Sequence, residues 1–202
     1  MMHNIRAVYF DLGGVIVRTE DKAPRAALGK SLGLDYDEID RLVFASPSAR
    51  QASIGAISVE QHWQKVVGSL GLPESEIERI IEAFFAGDHT DLALVDFLRS
   101  LRSTHKTGLI SNAFSGLRQW MIEKKIEDAF DDITFSAEVG VAKPDPLIYR
   151  QALEKLDVRP EEAIFVDDMP INVEAAKMLG MHGIIFQNAE QTIADVKSLL
   201  AS

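Results

Sequence analysis

The chain has 202 residues, 21 Lys and Arg against 31 Asp and Glu, a formal net charge of −10 and no cysteine. Disulfides, thiolate metal sites and cysteine nucleophiles are therefore excluded. The acidic balance argues against nucleic acid or an anionic membrane as partner, since both attract clustered Lys and Arg. At 47% hydrophobic and 26% charged residues the composition is that of a soluble globular protein long enough to bury a core. No apolar run approaches the roughly 20 residues of a membrane span. The stretch from Met1 to Arg6 lacks the hydrophobic segment of a signal peptide, so the cytoplasm is the expected compartment.

In chain order, the first predicted strand covers 7–10 and runs into Asp11-Leu12-Gly13-Gly14-Val15. From about Glu20 to Thr90 the pattern is helical, with segments at 23–32, 36–44, 58–70 and 74–85 and no convincing strand. Ser58 and Gln61 have capping-box spacing, and Pro73 suits a helix start. Strands at 106–110, 132–135, 163–166 and 183–186 then alternate with helices at 117–125, 146–156, 172–179 and 190–200. Asp145-Pro146 supplies an N-cap and a proline at the first helical position. Short apolar strands alternating with helices imply an α/β fold, a parallel sheet with helices on both faces. Residues 1–19 and 91–202 form the expected core domain, and 20–90 a helical cap domain over the strand ends.

Ligands of open α/β sheets bind at the carboxyl ends of the strands. There the sequence places Asp11, Ser111-Asn112 and Asp167-Asp168, with Lys143 in the loop 140–146. Each has a plain structural use, in a cap or a turn. Together they bring three carboxylates, a hydroxyl and an ammonium to one edge. That set suits phosphoryl transfer: carboxylates hold Mg²⁺, Lys143 and Ser111 bind phosphoryl oxygens, and one carboxylate attacks phosphorus.

The motifs Phe10-Asp11-Leu12-Gly13-Gly14-Val15, Leu109-Ile110-Ser111-Asn112, Lys143-Pro144-Asp145 and Phe165-Val166-Asp167-Asp168 with Asn172 resemble, in order, those of the haloacid dehalogenase-like (HAD) superfamily. The resemblance extends over the whole chain. It implies a Rossmann-like core with an inserted all-helical C1 cap. It also implies an Mg²⁺-dependent phosphatase acting on a small phosphate monoester through an aspartyl-phosphate on Asp11. Lys143 would steady Asp11 and the phosphate, Ser111 and Asn112 would bind the phosphoryl group, and Asp11, the Gly13 carbonyl and Asp168 would hold Mg²⁺. Asp167 would act from behind them or serve as a helix N-cap.

Most phosphatases of the superfamily carry an aspartate general acid/base where this chain has Gly13. A subset resembling the hexose-phosphate phosphatases, and the phosphatase-like domain joined to epoxide hydrolases, shares Asp-Leu-Gly-Gly or a close variant. Sugar phosphates are accordingly the first expected substrates, with Glu20 as a candidate substitute acid. Two alternatives stand beside this: a catalytically weak phosphometabolite-binding protein, and a 2-haloacid dehalogenase, whose subfamily usually has Tyr at position 13. In the cap, Arg50 is a candidate for a second anionic group of the substrate. Gln51, His62 and Trp63 are further candidates, set against a solvated His62 and a core Trp63. Met121, Met178 and Met181 read as packing residues. A monomer or homodimer is expected.

Overall fold

The computed structural model describes residues 4–201. The strands are β1 (Ala7–Phe10), β2 (Val17–Thr19), β3 (Asp88–Thr90), β4 (Lys106–Ser111), β5 (Asp132–Phe135), β6 (Ala163–Asp167) and β7 (His182–Ile185). The helices are α1 (Ala23–Ser31), α2 (Tyr36–Phe44), α3 (Pro47–Ser53), α4 (Val59–Ser69), α5 (Ile77–Phe85), α6 (Leu92–Leu101), α7 (Leu117–Glu123), α8 (Ser136–Val139), α9 (Pro146–Lys155), α10 (Pro170–Met178) and α11 (Ala189–Leu200).

Five strands form a parallel sheet in the order β5-β4-β1-β6-β7. The chain starts in the middle, fills one side, then crosses to the other, which creates a switch point at the carboxyl end of β1. Side chains of β1 alternate: Val8 and Phe10 pack with α6, α7 and α11, whereas Ala7 and Tyr9 pack with α9 and α10. Both faces are covered, as a parallel sheet requires. Asp145 caps α9 by accepting from Leu147 N at 2.9 Å, with Pro146 in the first turn, as the sequence predicts.

Between β1 and β4 the chain builds a second hydrophobic cluster from Leu28, Ile39, Val43, Trp63, Val66, Ile80 and Phe84, contributed by α1, α2, α4 and α5. The predicted box at Ser58 and Gln61 closes the start of α4. The expectation of no strand between about Glu20 and Thr90 is corrected. Asp88–Thr90 pairs antiparallel with Val17–Thr19, forming a ribbon through which the chain enters and leaves the helical unit. Its polar residues, half exposed, carry no apolar alternation that would mark a strand. The last strand begins one residue earlier than predicted, at His182. Met178 is 82% exposed, contrary to its expected role in packing.

Arg25 ties the helical unit to the ribbon. Its guanidinium is buried and donates to Asp40 at 2.7 Å, Asp88 at 3.1 Å and the Phe84 carbonyl at 3.2 Å. It also lies 4.0 Å from the centre of the Phe84 ring. Removing one partner of a buried ion pair leaves an uncompensated charge, at a cost of about 3–5 kcal/mol. Arg25→Ala is therefore expected to lower unfolding free energy by about 3 kcal/mol in urea denaturation. Arg25→Lys should recover only part of this, because a lysine cannot reproduce the planar fork that reaches Asp40 and Asp88 together.

Candidate active site

The register of the sheet gathers the polar residues at its carboxyl edge. Phe10 lies opposite Leu109 on one side and Val166 on the other. Asp11 therefore follows β1 between the ends of β4, which finishes in Ser111, and β6, which finishes in Asp167. Asp11 N donates to the Val166 carbonyl at 2.8 Å, carrying the pairing one residue beyond the strand.

Lys143 is the hub. Its side chain is buried, with Nζ 2.9 Å from Asp11 Oδ1 and 2.6 Å from Asp167 Oδ2. Asp11 Oδ1 also accepts from Leu12 N at 2.7 Å. Asp167 is held on every side: Asn172 Nδ2 donates to both its oxygens at 3.1 Å, and Met169 N donates to Oδ1 at 2.8 Å. The last bond comes from the residue that precedes α10, whose first turn has no side-chain cap, so Asp167 serves the ion pair and not the capping use that was its alternative. Asn172 is fixed in turn, its carbonyl accepting from the Tyr149 hydroxyl at 2.9 Å.

Asp11, Asp167 and Asp168 each present a carboxylate oxygen within 4.8 Å of the others. Three carboxylates against one ammonium leave two negative charges in a largely buried cluster. Burial pushes the Asp11 carboxyl up to about 6; Lys143 opposes this and Asp167 adds to it. Asp168 is also raised, by burial and then by the Asp167 charge. An all-oxygen donor set with this charge deficit fits a hard divalent cation such as Mg²⁺.

Asn112 has a second use besides the expected one. Its amide donates to the Lys143 carbonyl at 2.9 Å and accepts from Lys143 N at 2.8 Å, so it holds the backbone of the lysine loop. The second hydrogen on Nδ2 is not engaged in these bonds, and the residue is exposed. The Lys143–Pro144 bond at this point is cis. Ser111 is buried, and its hydroxyl favours the ionised form of the Asp11 carboxyl. Ser136, buried at the start of α8, accepts from Ala113 N at 2.9 Å and pins the loop after Ser111. Nothing in the sequence around Ser136 marks it for this contact, which depends on β4 and β5 being neighbours.

The cap candidates have partners of their own. Arg50 is exposed, and its Nη1 donates to the Ala45 carbonyl at 2.6 Å. His62, expected to be solvated, is fully buried: Nδ1 lies 2.9 Å from Ser48 Oγ, and its ring is 4.8 Å from that of Phe114. Trp63 lies in the helical unit's core, not on a sugar-binding face. Glu20 is paired with Arg18 at 3.0 Å.

The two glycines after Asp11 differ sharply. A Cβ on Gly13 would meet nothing within 4 Å. Gly14 has φ +79°, and a Cβ there would sit 2.5 Å from the Asp168 carboxylate. Gly14→Ala is accordingly expected to displace Asp168 and weaken Mg²⁺ binding at least about tenfold in isothermal titration, while Gly13→Ala stays within about twofold.

The haloacid dehalogenase-like hydrolase family matches residues 5–180. A sesquiterpene phosphatase of Aspergillus oryzae is 28% identical over 99% of this chain and 99% of its own. The D-ribitol-5-phosphate phosphatase of Bacteroides thetaiotaomicron is 28% identical over 87% of this chain and 89% of its own. A HAD family enzyme from Bacteroides thetaiotaomicron, solved in complex with magnesium and inorganic phosphate, shares the fold. Its TM-score is 0.75 at 24% identity, over 91% of this chain and 94% of that one.

Proposed function

The chain belongs to the haloacid dehalogenase-like hydrolase family, and from that premise we propose that it is a phosphoric monoester hydrolase that works through Asp11. The observation that carries this reading is the Lys143 ammonium held between Asp11 and Asp167, with Asp168 beside them, at the switch point of the sheet.

In this reading Asp11, Asp168 and the Gly13 carbonyl hold Mg²⁺, which when bound neutralises phosphoryl oxygens and the carboxylate charge. Lys143 and Leu12 N orient the Asp11 carboxylate, and Lys143 keeps it ionised against its burial. An Asp11 oxygen attacks phosphorus; the bond from phosphorus to the alcohol oxygen breaks, and the leaving oxygen takes a proton. Ser111 donates to a phosphoryl oxygen as charge gathers there. Water then attacks the aspartyl-phosphate, releasing inorganic phosphate and returning Asp11. Asp167, saturated by Lys143, Asn172 and Met169 N, positions the lysine.

Gly13 has no proton to exchange, so the leaving oxygen receives its proton from solvent. General acid/base assistance contributes typically 10²–10⁴-fold, which makes the leaving group's own acidity decisive here. Small phosphate monoesters are the substrate class. Sugar and polyol phosphates are the first to test, since a D-ribitol-5-phosphate phosphatase is among the relatives aligned over most of their length. The Lys143–carboxylate cluster, with two unbalanced negative charges, supports a metal-dependent site over the metal-free dehalogenase alternative.

Release of inorganic phosphate from p-nitrophenyl phosphate should require Mg²⁺ and be lost in Asp11→Asn. If no metal-dependent release appears and Asp11→Asn changes nothing, the enzyme reading fails and the phosphometabolite-binding alternative takes its place. Gly13→Asp is expected to raise kcat for alkyl phosphates by about tenfold or more while changing the aryl phosphate rate little. The open space at Gly13 gives the new carboxyl room. A comparison of leaving groups of graded acidity makes the measurement.

A further inference from the structure

One short run of the chain is dense in hydrogen-bond donors that the proposed chemistry does not use: Arg102, Ser103, Thr104, His105 and Lys106. It forms the turn from α6 into β4, at the amino edge of the sheet. Because β4 runs from Lys106 to Ser111, this turn and the phosphoryl site lie at opposite ends of one strand, roughly 16 Å apart along it. The register of the sheet adds another cation. Ala7 pairs with Lys106, and Lys106 N donates to the Arg6 carbonyl at 2.9 Å, so Arg6 stands beside the turn. Arg6, the turn 102–106, Asp131 and Leu156 all line an open cavity of about 610 Å³. Its wall carries three fixed cations, Arg6, Arg102 and Lys106, against one carboxylate, in a chain whose net charge is −10.

The structural uses of these groups leave donors over. Asp131 is saturated: Oδ1 accepts from Arg102 Nε at 3.1 Å and Nη2 at 2.7 Å, and Oδ2 from Thr107 N at 2.8 Å and Thr107 Oγ1 at 3.3 Å. Helix ends expose carbonyls that repel an anion, but those of α6 and α9 are engaged here. The Leu101 carbonyl accepts from Thr104 N and His105 N at 2.9 and 2.8 Å, and the Leu156 carbonyl from Lys106 Nζ at 2.5 Å. An ammonium has three hydrogens, so Lys106 keeps two. The Arg6 side chain has a single partner among the described residues, Glu162 at 3.4 Å. Glu162 is held more closely by Arg159, through N at 2.9 Å and Nη2 at 3.1 Å. His105 Nδ1 lies 2.8 Å from Thr104 Oγ1, and its Nε2 has no partner among the described residues.

We propose that this groove binds a small polyanion with two or more linked phosphates, the chemistry shared by inorganic pyrophosphate and the tail of a nucleoside diphosphate. Three cations from separate segments (the approach to β1, the end of α6 and the start of β4) surround a space larger than one phosphate. Arg6 and Lys106 supply the charge-assisted donors, and Arg102, spent on Asp131 and the Asp128 carbonyl, supplies charge. The site is independent of the phosphatase reading, since it is occupied without turnover.

Calorimetric titration of the full chain with pyrophosphate, ADP and inorganic phosphate tests this. Metal is chelated, so that the carboxylate edge, with its two surplus negative charges, holds no anion. Pyrophosphate is expected to bind at least about tenfold more tightly than inorganic phosphate, and to weaken at least about threefold between 50 and 200 mM salt. Ser103→Asp sets a negative charge in the groove and removes only a 3.4 Å bond to the Ser100 carbonyl. It should weaken pyrophosphate binding at least about fivefold with an unchanged unfolding midpoint. Arg6→Gln combined with Lys106→Gln should weaken it at least about tenfold. Both variants should hydrolyse p-nitrophenyl phosphate in Mg²⁺ within about twofold of the unmodified protein. Equal affinity for ADP and pyrophosphate assigns recognition to the linked phosphates alone, and tighter ADP binding adds the nucleoside to it. Absence of pyrophosphate binding, or binding that Ser103→Asp leaves unchanged, would overturn the proposal whatever the double variant does.

Discussion

Everything at the carboxyl edge depends on one buried ammonium. Lys143 neutralises one negative charge among three carboxylates, and a lysine so enclosed is stable only while both Asp11 and Asp167 remain beside it. The sheet order supplies that condition. Because β1 lies between β4 and β6, the residues after β1 and at the end of β6 are neighbours. Lys143 itself comes from a loop beyond β5, with two strands lying between β5 and β6, and the Asn112 amide at the end of β4 fastens its backbone. Four separate segments must therefore be in place before the charge is compensated. The remaining negative charge is what prepares the edge for a cation and, through it, for a phosphoryl group.

The helical unit follows a different rule. Its polar residues serve internal structure: Arg25 joins α1, α2 and the ribbon, and His62 with Ser48 joins α3 and α4. It meets the core where Gly55 lies against the Ala137 carbonyl, Val59 N donates to Ser115 Oγ at 3.4 Å and the His62 ring lies 4.8 Å from that of Phe114. The ribbon β2–β3 is the only strand pairing through which the chain passes between the two among the described residues.

The core was readable in the sequence because its signals are local. β1, β4 and β6 are short runs rich in apolar residues that end in or lead into a polar residue, and Asp145-Pro146 or Ser58 with Gln61 mark helix starts in a few residues. Helix α6 carries comparable signals, an Asp91 cap and apolar Leu94, Val95, Leu98 and Leu101, yet it falls at the junction of the two units and is not among the predicted helices. Other features are not local. The ribbon strands take their pairing from residues about 70 positions away in the chain. The burial of His62 depends on Phe114 packing over it, and the Asn112 clamp on a lysine loop far along the sequence. Side-chain identity announced which residues converge at the edge. Which of them face a ligand and which hold a neighbour was decided by partners the linear sequence does not display.

The two glycines after Asp11 separate steric need from chemical choice. Gly14 is required twice over, by a left-handed backbone and by the Asp168 carboxylate against it, so no other residue fits without moving a prospective metal ligand. Gly13 is under neither constraint, since a side chain there would project into open space. Its lack of a carboxyl is therefore not imposed by packing. A fourth acidic group would add negative charge to a cluster that already exceeds its lysine by two, in a place where Asp11 is pushed up to about 6 by burial. Omitting it eases the ionisation of the nucleophile and forgoes an internal proton donor. The net charge of −10 is thus no obstacle to an anionic ester. What matters is the balance within a few ångströms of Asp11, and there the chain has kept the number of carboxylates low.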